Sequence, residues 1–328
     1  MARLSIIISM YNDEKYICRC LKSIEQQTNK DFEIICVDDY STDRTVAMCS
    51  DFSSILPITM YVMNENSGLS AVRQKGLSLS NSEYVCFVDA DDELSPDYVD
   101  IALKQMDKNK CDVCIFRVEY NKDGIKTESP KHEEIVTYLS HDTIESSYKR
   151  IVYEYHLSDS WDKVYRRDYI LSSGVTFCMD RGVNGSDSLF NKMLFLHNPK
   201  VAFLSNVLYI HYSNPNSMVT RKNKDFVQMA ITMLENLNTE SEKLSYVNVK
   251  NYNRMLFYSI LRSDYINKLT DKQQLSKAVN RSRRYIELNS FLKDPVSTNV
   301  SLTVFQCVLI HMPVLLKPYL YIFKKIKS

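Results

Sequence analysis

Tyr84-Val85-Cys86-Phe87-Val88-Asp89-Ala90-Asp91-Asp92, residues 84–92, joins a run of large, mostly apolar residues directly to an acidic turn. A short run apolar at every position, and closed by turn-forming residues, is the pattern of a strand buried on both faces. Three earlier runs read the same way: residues 4–9, 32–38 and 58–63. Between them, residues 16–27 set Ile17, Leu21 and Ile24 on one helical face, and 44–53 and 69–79 also carry helical spacing. Strand and helix alternating in this way predict βαβ units, hence an α/β fold of Rossmann-like type with a mainly parallel sheet flanked by helices. Ser95 as cap and Pro96 in the first position predict a further helix. A strand is expected over 112–119, and the polar stretch 121–134, with Gly124 and Pro130, reads as a loop or edge hairpin.

Residues 140–221 form a second group of elements containing the only tryptophan, Trp161. From 222 to 300 the pattern turns helical and polar, with helices expected over 226–237, 249–269 and 272–288. Residues 301–328 differ again. An apolar run over 302–316 is followed by Lys317, Lys324, Lys325 and Lys327. That run is shorter than the ~20 residues needed to cross a bilayer. Apolar residues beside lysines suit a helix lying on the anionic inner face of a membrane. The same pattern serves a helix docked on its own protein or on a partner chain.

Composition narrows the field. The chain has 328 residues, 45% hydrophobic and 25% charged, as in ordinary globular proteins. A formal charge of +1 argues against bulk capture of nucleic acid. The start of the chain lacks the pattern of a secretory leader, which leads us to expect a cytoplasmic protein. Nine scattered cysteines fit buried thiols in a reducing compartment. Cys111 and Cys114 have CxxC spacing without a second pair or nearby histidines, and neither zinc nor redox chemistry is expected there.

In parallel sheets, ligands bind beyond the carboxyl ends of the strands. Here those ends carry Ser9-Met10-Tyr11-Asn12, Asp38-Asp39-Tyr40-Ser41-Thr42-Asp43, and Asp89-Ala90-Asp91-Asp92. Residues i and i+2 of an extended segment project to one side, which would aim Asp89 and Asp91 together. Two close carboxylates call for a cation, and hard oxygen ligands favour Mg²⁺ or Mn²⁺ shared with substrate phosphates. The plainer reading makes Asp91 and Asp92 caps of the next helix. Asp38-Asp39 offers an acceptor for a base N–H or a ribose hydroxyl, whereas Ser41, Thr42 and Asp43 suit a turn and helix cap. No GxGxxG follows the first strand and no GxxxxGK[ST] occurs, so phosphate cradles of those types are unsupported.

The blocks Ser5-Ile6-Ile7-Ile8-Ser9-Met10-Tyr11-Asn12, Asp38-Asp39-Tyr40-Ser41-Thr42-Asp43, Asn66-Ser67-Gly68-Leu69-Ser70-Ala71-Val72-Arg73 and 84–92 together resemble family 2 glycosyltransferases of the GT-A fold. Trp161-Asp162-Lys163-Val164-Tyr165-Arg166 and Gly185-Ser186-Asp187-Ser188-Leu189-Phe190 resemble two later elements of that family. The resemblance implies a UDP-sugar donor, a divalent cation and a glycan or lipid-linked glycan acceptor, with inversion at the anomeric carbon. It assigns Ser9, Tyr11, Asn12 and Asp39 to the base, Arg73 to the nucleotide or its phosphates, and Asp89 with Ala90 to the ribose side. Asp91 and His211 fall at metal positions and Asp187 at the catalytic base, with Ser217 in a segment closing over the diphosphate. Trp161 and Lys163 are candidates for the acceptor pocket. Ser186 stands where the family has glutamate, which leaves Asp187 alone as base. The domain reading is 1–221 for the catalytic part (1–120 nucleotide half, 121–221 acceptor half), 222–300 for a helical appendage and 301–328 for the amphipathic segment. The helical part also offers a surface for oligomerisation. The rival readings are a sugar-nucleotide nucleotidyltransferase, which lacks its glycine-rich basic loop here, and a non-catalytic nucleotide-sugar or glycan-binding protein.

Overall fold

The computed structural model describes residues 2–131, 133–138, 158–178, 186–214, 225–244, 249–294, 300–311 and 315–327. Two compact units are present: Met1–Arg181 with Gly185–Lys222, and Gly182–Asn184 with Asn223–Ser328.

In the first unit the predicted alternation appears as β1 (Leu4–Met10), α1 (Ile17–Glu25), β2 (Phe32–Asp38), α2 (Thr45–Asp51), β3 (Ile58–Val62), α3 (Leu69–Leu79) and β4 (Tyr84–Asp89). These strands are parallel in the order β3-β2-β1-β4. Leu4, Ile6 and Ile8 pack into one apolar layer with α1, while Ile7 points the other way toward Val72 and Leu77 of α3. Burial on both faces explains why the strands read as unbroken apolar runs. β3 is the exception: its residues are half-buried or exposed, as befits an edge strand. Gly76 lets α3 lie close on β1, because a Cβ there would sit 2.2 Å from Ile7 Cγ2.

Beyond β4 the sheet becomes mixed. It continues with β5 (Glu93–Leu94), α4 (Tyr98–Asn109), β6 (Val113–Lys122), β7 (Ile125–Glu128) and β8 (Ile135–Tyr138). After these come β9 (Lys163–Arg166), α5 (Arg167–Ser173), α6 (Ser186–Phe195) and β10 (Lys200–Tyr212). β9 lies antiparallel between β4 and β6, and β10 runs parallel to β6. The expected edge hairpin is β6–β7, turned by Asp123 and Gly124, both at positive φ. The helix predicted to begin at Pro96 begins instead at Tyr98, with Ser95-Pro96-Asp97 forming the turn before it. Asp97, the residue just before the helix, makes no side-chain capping bond. The Val99 N–H is taken by Gln27 Oε1 at 3.0 Å, a tertiary partner that local sequence does not reveal.

The second unit contains α7 (Phe226–Lys243), α8 (Val249–Asn267), α9 (Lys272–Leu288), α10 (Val300–His311) and α11 (Leu316–Lys327). Asp225 and Asp271 cap α7 and α9, each accepting backbone N–H bonds from the first turn. Residues 301–328 belong to this unit and do not stand apart from it. The apolar run 302–316 does not form one surface helix. Leu302, Phe305 and Leu309 of α10 are fully buried, and Gln306 Nε2 donates to Leu292 O and Asp294 O at 2.8 Å each. A helix apolar around most of its circumference belongs in a core, and the lysines fall on the separate helix α11.

Candidate active site

The chain reverses direction across the sheet between β1 and β4, since β2 and β3 lie on one side of β1 and β4 on the other. Such a switch point opens a crevice at the carboxyl ends of those strands. Register brings the expected residues there: Ser9 pairs with Asp89 and Met10 with Asp38.

On the β1–β2 side, Asp38 is consumed by its own turn, accepting from Ser41 Oγ at 2.5 Å and Ser41 N at 2.8 Å. Asp39 is buried and accepts Ser67 N at 2.6 Å and Gly68 N at 2.8 Å, fixing the turn that starts α3. Asn12, at φ 56°, locks the loops together: its N–H donates to Ser41 Oγ and its Oδ1 accepts Thr42 N, both at 2.9 Å. Tyr11, just beyond the end of β1, is 44% exposed. Ser9 and Ala90 are buried.

The acidic segment is a turn and not an extended strand, with Asp92 N donating to Asp89 O at 3.1 Å. Its three carboxylates therefore part company. Asp89 Oδ1 accepts from Arg73 Nη2 at 2.6 Å, and Arg73 Nη1 pairs with Asp187 at the start of α6. The guanidinium is buried, only 1% exposed, between two carboxylates from different elements. Burial opposes its charge, but Asp187 and Asp89 outweigh that and raise its pKa. Asp91 Oδ2 accepts from Asn214 Nδ2 at 3.0 Å, and its carbonyl accepts from Arg19.

Asp92 turns inward and is fully buried. It accepts Tyr209 Oη at 2.8 Å and Tyr212 N at 2.8 Å, and meets His211 Nδ1 at 3.1 Å. It caps no helix. Burial pushes its pKa up. For His211, burial acts downward, but the hydrogen bond and charge of Asp92 prevail and raise its pKa. The His211 ring is stacked on Trp161, centroids 5.3 Å apart and planes 7° apart, and Trp161 stacks in turn on Tyr209 at 4.8 Å. Trp161, 8% exposed, thus braces His211. With Nδ1 protonated toward Asp92, the lone pair sits on Nε2, which is the arrangement of a histidine metal ligand with its supporting carboxylate.

These donors suit a hard divalent cation: one carboxylate at Asp91 and one oriented imidazole at His211. No group of three or more His, Cys, Asp or Glu able to hold a metal occurs among the described residues. In general Mg²⁺ and Mn²⁺ take part of their shell from water and substrate phosphate. Asp13 adds to the negative field. Burial, then the charges of Asp91 and Asp89, push its pKa up to about 7 against the Tyr11 N–H bond.

Lys163 is placed differently from an open pocket residue. It is fully buried, its Nζ donating at 2.5 Å to Asp159 O and to Asp162 Oδ1. Asn191 of α6 ties into the same region, accepting Tyr165 Oη at 2.7 Å and donating to Asp159 O at 2.9 Å. Through this buried polar cluster β9 anchors the helix that carries Asp187. Ser217 lies outside the described residues, as does the side chain of Ser186.

Sequence reasoning missed Asp13, Arg19, Tyr209 and Asn214, and gave Asp92 no role beyond capping. No local motif could have found them: Arg19 meets Asp91 across 72 residues, and Tyr209 and Asn214 meet Asp92 and Asp91 across 117 and 123.

The sequence pattern of the family described as Glycosyl transferase family 2 matches residues 5–171. Glycosyltransferase GlyA of Streptococcus pneumoniae is 31% identical over 66% of this chain and 31% of its own length. Putative glycosyltransferase EpsH of Bacillus subtilis is 27% identical over 71% of this chain and 67% of its own. The chain thus spans about a third of the former and two thirds of the latter. The poly(ribitol-phosphate) beta-N-acetylglucosaminyltransferase TarS of Staphylococcus aureus is 28% identical over 64% of this chain and 35% of its own length. A crystal structure of TarS residues 1–349 in complex with UDP-GlcNAc superposes with a TM-score of 0.76 at 18% identity, covering 99% of this chain and 92% of that one.

Proposed function

The chain belongs to glycosyl transferase family 2, and on that premise we propose that it transfers a sugar from a UDP-sugar to a hydroxyl of a glycan or lipid-linked glycan, with inversion. The observation that carries this reading is Arg73, one buried cation gripping both Asp89 at the nucleotide crevice and Asp187 on α6. A donor-side acid and a candidate base are thereby held in fixed relation, as a single displacement requires.

In this reading the uracil lies against Tyr11, with its N3–H directed to the Asp39 carboxylate and its ribose toward Asp89. Asp187 accepts the proton of the acceptor hydroxyl as that oxygen bonds to the anomeric carbon. The bond from that carbon to the diphosphate breaks on the opposite face, and UDP departs. A bound Mn²⁺ or Mg²⁺, held by Asp91 and His211, would supply neutralisation of the leaving diphosphate. TarS, by name an N-acetylglucosaminyltransferase acting on poly(ribitol-phosphate), supports a polymeric acceptor and a hexose or N-acetylhexosamine as the sugar, with UDP-GlcNAc the first donor to test. The acceptor would meet the donor near Trp161, whose ring is stacked on His211.

Binding of UDP, followed by calorimetry with and without Mn²⁺, tests the metal side. Asp91→Asn should weaken UDP binding more than about tenfold when Mn²⁺ is present and little in its absence. Equal affinity of variant and parent in Mn²⁺ would remove Asp91 from the metal site.

A further inference from the structure

We propose that the outward face of α11 docks on an anionic lipid bilayer, an inference independent of the transferase reading. At about 100° per residue, Leu316, Tyr319, Leu320 and Phe323 share the inner side of this helix, and Leu316 and Leu320 are buried. The opposite arc is divided along its length. Leu315, Pro318 and Ile322 follow one border, Lys317 and Lys324 the other, and Tyr321 and Lys325 run between them. Tyr321 and Ile322 are 58% and 59% exposed and Leu315 46%, so apolar area faces outward in a connected strip. Lys325 Nζ lies 5.0 Å from the centre of the Tyr321 ring. A helix that is apolar on one flank and cationic on the other is built to lie in the headgroup region.

Charge selects the occupant. Residues 223–328 hold sixteen Lys or Arg against eight Asp or Glu, in a chain whose net charge is +1. From Pro295 to Ser328 there is no acidic residue at all. A second copy joined through this face would set lysines against lysines, which disfavours a symmetric dimer. An RNA would satisfy the lysines but leave Leu315 and Ile322 in water, whereas a leaflet of anionic lipid satisfies both. Among the described residues no helix is long and apolar enough to cross a membrane, so contact is by lying on the surface.

Flotation of the full chain with vesicles tests this, using phosphatidylcholine alone or mixed in equal parts with phosphatidylglycerol. The protein should float with the mixed vesicles, far less with the neutral ones, and less at high salt. Lys324→Gln with Lys325→Gln should lower partitioning roughly twenty-five-fold, about fivefold per lysine. Tyr321→Ser with Ile322→Ser should lower it about tenfold or more. Both pairs are exposed, so melting temperatures should not move. The proposal fails if the parent does not float, if both vesicle types bind it equally, or if the variants bind as the parent does. A dimer abolished by the Tyr321/Ile322 change, or RNA bound in preference to anionic vesicles, would give the face to another occupant and overturn it.

Discussion

Asp187→Asn is expected to reduce sugar transfer by about 10²–10⁴-fold, the usual weight of a general base, while leaving UDP affinity within about twofold. Asparagine keeps the size of the side chain but cannot accept the acceptor's proton. It also keeps a polar oxygen beside the buried Arg73 guanidinium, with which Asp187 forms an ion pair. Because UDP departs from the other side of the reacting carbon, the loss should appear in turnover and not in donor binding. Stopped-time assays of UDP release with matched calorimetry separate the two. Turnover within about threefold of the parent would contradict the role of Asp187 as base.

Arg73→Met should have the second large effect, and a different one. It leaves the Asp89 and Asp187 carboxylates near one another without the cation between them. Removing one partner of a buried ion pair costs about 3–5 kcal/mol, which a thermal melt would register as a fall of several degrees. Turnover should fall with it, since the base loses its anchor. Arg73→Lys sharpens the test. It restores the charge, and with it much of the stability, but a single ammonium cannot grip two carboxylates as a planar fork does. We therefore expect Arg73→Lys to be nearly as stable as the parent yet still deficient in turnover by more than tenfold, on the order of 1.4 kcal/mol or greater. Full activity in the lysine variant would reduce Arg73 to a structural counter-charge.

The strands and strand ends were legible because burial on both faces writes itself into sequence as short apolar runs, and the switch point then follows from topology. β1, β2 and β4 emerge within a residue of the reading from sequence, and Asp39 and Asp89 stand at their tips. What the sequence did not disclose depends on distant partners. The inward turn of Asp92 is set by Tyr209 and His211, 117 and 119 residues later. Arg73, assigned by resemblance to the nucleotide, is enclosed by Asp89 and Asp187 from strands and helices that no local pattern joins. Lys163 and Trp161 look like pocket residues in a motif, yet one is enclosed with Asp162 and the other is a wall for His211. The start of α4 went astray for a similar reason: a Ser-Pro pair is a good local start signal, but Gln27 supplies the cap from across the fold. At the C-terminal end, hydropathy merged into one segment what packing divides into a buried helix and a basic one.

The central claim is tested most directly by UDP release from a panel of UDP-sugars, beginning with UDP-GlcNAc, in Mn²⁺ and again in excess chelator. Release is expected from at least one donor in Mn²⁺, with loss of it in chelator and in Asp91→Asn. Donor binding without any UDP release, or release of pyrophosphate in place of UDP, would contradict it.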